Sequence, residues 1–163
     1  MIPTECWNAL IAHLRLEADR LAELLRLLEE ERAALRRLDG EQLTTLARQR
    51  IAVIESHQHL TLDRLVRLGD CAPEVAPQTL SGLAPFLDPQ QATDMAAMRD
   101  ELSTLVRRVQ ELQRMNEAYA ETGRQTISHA LSRLTRKRAG PEATYGANGR
   151  FAAHGQSLLR REG

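Results

Sequence analysis

The chain is predicted to be all-α: a long antiparallel helical hairpin, a proline-marked crossover, a third long helix completing a three-helix bundle, and a flexible C-terminal tail. Three observations carry this prediction. Aromatic residues make up 3% of the 163 residues and charged residues 27%, with Leu and Ala abundant, a mix that suits long amphipathic helices rather than sheets. Apolar residues recur at helical spacing over three long stretches. Between the stretches Gly and Pro gather at two places, near Gly40 and from Gly69 to Pro89, and these residues punctuate helices. The length suits one domain with a tail. The expected division is a bundle over residues 1–138 (helices about 4–38, 40–68 and 89–138, crossover 69–88) and a basic tail over 139–163.

In the first helix Trp7, Leu14, Leu21, Leu28 and Leu35 recur every seven residues, with Leu10, Leu24 and Leu38 at the companion position. Glu17 and Glu31 interrupt that companion position, which favours a wide bundle face over a strict two-stranded zipper. Thr4 is the expected N-cap, and the Glu29-Glu30-Glu31-Arg32 run reads as a solvated face. Leu38-Asp39-Gly40 is a turn signal; Asp39 can cap the second helix and Gln42 can reach back as in a capping box. The apolar stripe of the second helix reads Leu43, Leu46, Ala47, Ile51, Ile54, Leu62, Leu65 and Val66, and Gly69 is expected to end it. So short a link makes helices one and two an antiparallel hairpin.

Pro73, Pro77, Pro85 and Pro89 mark the crossover. A short helical turn near residues 78–83 is expected there, with Leu80, Leu83, Phe86 and Leu87 resting on the hairpin. Asp88 caps the third helix and Pro89 takes its first position, where a missing N–H costs nothing. The seam of that helix reads Met95, Met98, Leu102, Leu105, Val109 and Leu112, then turns polar at Asn116, Tyr119, Gly123 and Thr126. Beyond these, Ile127, Leu131 and Leu134 form an apolar stripe without an evident partner in the chain, open to another protein or to self-association through this helix.

Charge is unevenly spread. From Arg124 onward eight basic residues face two acidic ones, a balance of +6 that leaves −6 on the residues before it. A basic end can meet nucleic acid, an anionic membrane or an acidic protein face. Binding of nucleic acid or of an acidic partner through this end is the alternative reading; for nucleic acid the basic run is short and no stacking platform or helix-turn-helix accompanies it. Cys6 and Cys71 lack any CxxC spacing and read as free thiols. His57 and His59, two apart on a helix, point to different sides and do not make a metal site. No nucleophile–base spacing or phosphate loop is present, so neither enzymatic activity nor a cofactor is expected. Without an apolar core near the N-terminus or a membrane-spanning run, the chain is read as cytoplasmic.

Two local patterns are more specific. Leu112-Gln-Arg-Met115-Asn116 resembles the Leu-x-x-Leu-Asn segment in the last helix of the FlgN family, the flagellar export chaperones. Thr144-Tyr145-Gly146-Ala147-Asn148-Gly149-Arg150 is similar to the family's tail motif, a Tyr-Gly followed closely by a second Gly. Where the family often carries a second Asn three residues after the first, this chain has Tyr119. The resemblance implies a chaperone that binds hook–filament junction proteins, prevents their premature assembly and delivers them to the export gate, with no nucleic acid expected. Carried over by position, Asn116, Tyr119, Ile127, Leu131 and Leu134 would contact cargo, and Tyr145, Gly146 and Gly149 would dock the gate.

Overall fold

The computed structural model describes residues 2–71 and 80–138. Its elements in chain order are α1 (Thr4–Arg37), α2 (Gly40–Cys71), a short 3-10 helix (Leu80–Phe86) and α3 (Pro89–Arg138), with no strand among the described residues. By packing, the chain falls into two units, residues 1–120 and 121–163.

In the first unit α1 is the central helix. Leu14 and Leu28 are fully buried, and Trp7, Leu10, Leu21, Leu24 and Leu25 join them, so both companion positions of the heptad face inward. The link to α2 is two residues long. Leu38 takes the left-handed conformation at φ 55°, Leu38 N–H donates to Leu35 O and Asp39 N–H to Ala34 O. This is the Schellman arrangement, with a leucine where glycine is usual. Asp39 Oδ1 accepts from the Gln42 backbone N–H at 3.0 Å and so caps α2. The expected return leg of the capping box is absent: the Gln42 side chain accepts from Arg37 at 2.7 Å instead. Thr4 does not cap α1 either. Pro3 occupies the cap position without a side-chain hydrogen bond, and Thr4 is the first helical residue.

α2 packs on α1 through a different face from the one its apolar pattern suggests. Leu46, Val53 and Leu68 are buried, while Ile51, Ile54, Leu62, Leu65 and Val66 are exposed. The face turned inward runs Leu46, Arg50, Val53, His57, Leu60, Arg64 and Leu68, in steps of three and four. It contains two arginines because α1 presents two glutamates opposite. Arg64 Nε donates to Glu17 Oε1 at 2.7 Å, and Arg50 Nη1 donates to Glu31 Oε2 at 3.1 Å. A fourteen-residue step along α1 matches a fourteen-residue step backward along α2, the register of an antiparallel pair. The glutamates that interrupt the heptad are thus the partners of arginines on the inward face of α2. Gly69 lies within α2, which continues to Cys71. A Cβ at Gly69 would meet nothing within 4 Å, and glycine inside a helix costs only about 1 kcal/mol. Cys6 is disulfide-bonded rather than a free thiol; the hairpin brings the first turn of α1 to the end where α2 closes.

The crossover is tied to the start of α1: Ile2 N–H donates to Phe86 O at 3.2 Å. Leu83 is fully buried among Trp7, Leu10 and Leu68, with Leu80, Phe86 and Leu87 against the same cluster. A reciprocal capping box then opens α3. Gln91 N–H donates to Asp88 Oδ1 at 2.8 Å and Asp88 N–H to Gln91 Oε1 at 3.2 Å. Within this unit α3 runs parallel to α1. Met95 and Leu102 join the cluster of Trp7, Leu14 and Leu21, and Val109 joins that of Leu24 and Leu28. Asn116 and Leu28, 88 residues apart, meet by a hydrogen bond. The same offset relates Met95 to Trp7 and Leu102 to Leu14 within one cluster, so the two heptads run in step.

Candidate partner-binding face

The five residues expected to contact cargo fall into three environments. Asn116 is buried, 3% exposed, inside the seam between α1 and α3. Its Nδ2 donates to Leu28 O at 2.8 Å and to Glu31 Oε2 at 3.1 Å. Glu31 thereby bridges α3 and, through Arg50, α2. Asn116 Oδ1 is buried without a hydrogen-bond partner among the described residues. The sequence signal that the core weakens at Asn116 therefore marks a polar layer in the core, and the heptad position is the clue that would have placed it there. Tyr119, one turn on, is 48% exposed.

In the second unit Ile127, Leu131 and Leu134 are 51%, 57% and 60% exposed. Steps of four and three put them on one helix face. Three hydroxyl groups near them bond back to the helix's own backbone. Thr126 Oγ1 donates to Thr122 O, Ser132 Oγ to Ser128 O and Thr135 Oγ1 to Leu131 O, each at 2.9–3.0 Å. Arg133 and Arg136 flank the stripe with positive charge. At the start of the unit Arg124 donates two hydrogen bonds to Glu121, at 2.8 and 2.9 Å. These bonds, and one from Gln125, hold the Glu121 carboxyl at about 2, and the same pair raises Arg124. A depressed carboxylate keeps its pairing above the ordinary pKa and loses it only as pH falls through about 2. The pair is intact across the physiological range, but exposed.

Tyr145, Gly146 and Gly149 lie outside the described residues. Among the described residues no group of three His, Cys, Asp or Glu side chains could hold a metal ion, and no helix is long and apolar enough to cross a membrane. The described part of the second unit presents an exposed apolar stripe edged with arginine.

No curated protein and no solved structure matches the chain. A family model described as FlgN protein matches residues 7–152, which takes in α1 from Trp7 onward, α2, the crossover, all of α3 and the Tyr145-Gly146 segment. The chain therefore belongs to the FlgN family, the flagellar export chaperones.

Proposed function

We propose that this chaperone acts in the cytoplasm on hook–filament junction proteins, holding their helical terminal segments through the distal part of α3 and delivering them to the export gate. The observation that carries the reading is the exposed stripe Ile127, Leu131 and Leu134. A cargo segment that is unstable alone becomes helical by laying its apolar face on that ridge. Full burial of a large aliphatic side chain contributes about 1.5–3 kcal/mol, so three half-exposed ones supply on the order of 3–4 kcal/mol. Micromolar affinity needs about 8 kcal/mol after association costs. Cargo must therefore reach beyond the stripe, and Tyr119 and Asn116 are the further contacts in this proposal. Release needs no nucleotide, because competition at the gate suffices. The gate contact is assigned to the tail motif Tyr145, Gly146 and Gly149, on the family's pattern.

Co-purification with candidate junction proteins tests the reading. The triple replacement Ile127→Ser, Leu131→Asp, Leu134→Ser should abolish capture while circular dichroism shows the helices intact; unchanged capture removes the stripe from the site. Tyr145→Ala should retain cargo and impair its secretion, and normal secretion from that variant removes the gate assignment. Steeply salt-dependent binding to DNA with no junction-protein capture would favour the basic-end alternative.

A further inference from the structure

The face of α2 turned away from α1 carries Ile51, Ile54, Leu62 and Leu65, each between 38% and 58% exposed. Together they leave open on the order of 300 Å² of apolar surface on one helix face, a patch rather than scattered exposure. Its spacing is symmetric. From Ile51 the steps are three to Ile54, four to Gln58, four to Leu62 and three to Leu65. Read in either direction from Gln58, the helix meets an aliphatic residue after four positions and another after seven.

We propose that α2 pairs antiparallel with α2 of a second copy of this chain, about a two-fold axis through Gln58. An antiparallel pair places each residue level with the one equally far beyond the axis. Ile51 then meets Leu65 of the copy, and Ile54 meets Leu62, on both sides of the axis. A two-fold interface must be self-complementary in this way, and a face evolved for an unrelated partner has no reason to be symmetric. Gln58 meets its own counterpart, where each amide can donate to and accept from the other. One polar residue at the centre of an apolar seam fixes register at some cost in affinity. The flanking charges fit: Arg48 comes level with Leu68 and Glu55 with Thr61, so no like charges face each other. The pairing leaves α1 and α3 untouched and does not depend on how cargo is bound. Doubled across the axis, with the surrounding surface, the area stays below the roughly 1,200 Å² of a stable complex. The dimer is therefore weak, with a dissociation constant on the order of tens of micromolar.

Sedimentation equilibrium of the full chain over a wide concentration range tests the proposal, with circular dichroism to verify that each variant is folded. The mass should rise from one chain toward two. Gln58→Leu should lower the dissociation constant about tenfold, and Leu62→Lys and Ile54→Glu should each leave a monomer. Because Ile54 meets Leu62 across the axis, mixing the Ile54→Glu and Leu62→Lys chains should restore a mixed dimer through an ion pair. A single-chain mass at every concentration for both wild type and Gln58→Leu overturns the proposal. So does a dimer indifferent to Leu62→Lys, which places the contact on another face, or loss of cargo capture in a Leu62→Lys chain whose wild-type parent is monomeric, which gives the face to a different occupant. A mixture that stays monomeric overturns the antiparallel register.

Discussion

Replacing Asn116 by Leu should stabilise the protein, although Asn116 makes two hydrogen bonds. What those bonds leave behind decides the sign. Leu28 O lies within α1 and keeps its place in the helical ladder, and Glu31 keeps Arg50 at 3.1 Å. Removing the amide therefore orphans no acceptor. It also removes an orphan, since Oδ1 is buried without a partner and such an atom costs about 1–3 kcal/mol. A leucine at this position continues the heptad of Met95, Leu102 and Val109 beside Leu28, and its burial contributes about 1.5–3 kcal/mol. Against these stand two hydrogen bonds at about 1 kcal/mol each, more for the one to the carboxylate, and some packing strain. The net expectation is a gain of about 1–2 kcal/mol. It is read by urea denaturation followed by circular dichroism, and as a rise of several degrees in Tm. Asn116→Asp provides the opposite limit. It replaces the donating amide with a carboxylate facing Glu31 Oε2 and Leu28 O, so it should destabilise at neutral pH by about 3 kcal/mol or more. Burial beside Glu31 raises the folded-state pKa of the new carboxyl, so stability should recover as pH falls and the group protonates. A loss of more than about 1 kcal/mol in Asn116→Leu would mean instead that Asn116 contributes more through its bonds than its buried oxygen costs.

Glu17→Leu should cost about 3 kcal/mol by leaving Arg64 unpaired at the α1–α2 interface, whereas Glu17→Leu with Arg64→Leu should fall within about 1 kcal/mol of wild type; denaturation of the four chains of the cycle gives both values. Leu38→Gly should raise stability by about 1 kcal/mol, since φ 55° suits glycine and Leu38 is exposed, and a lower Tm would contradict this. Asp88→Ala removes the α3 cap and should cost about 0.5–2 kcal/mol, seen as a lower denaturation midpoint. Gly123→Ala, where an added Cβ meets nothing within 4 Å, should gain about 0.5–1 kcal/mol and increase helical circular dichroism.

The heptad from Trp7 to Leu35, the cap at Asp39 and the Asp88-Pro89 start of α3 could be read from sequence because each rests on residues a few positions apart. The inner face of α2 could not. A search for apolar spacing selects Ile51, Ile54, Leu62 and Leu65, and only the glutamates 19 and 47 residues from Arg50 and Arg64 make the arginine-bearing face the buried one. Gly69 misleads for a similar reason: Leu68, anchored in the core, holds the final turns of α2 where local preference would stop them. In the partner-binding face, the exposed stripe of α3 was legible as a pattern with nothing to pair it. Asn116 was legible as a break in that pattern, but its role in the seam depends on a contact 88 residues away.

That constant separation has a kinetic consequence. In the α1–α2 hairpin the sequence distance between facing residues grows steadily from the turn, so pairing can begin at Leu38 and zip outward with little loop entropy at each step. Between the parallel helices α1 and α3 every layer closes a loop of the same length, so no layer is a cheaper place to begin. The entropy of bringing α3 home is met once, and the layers then fall into place together. Assembly should thus run as a local hairpin that serves as template, followed by cooperative docking of α3. In reverse, α3 is the element that a native-state opening would release as a whole before the hairpin parts.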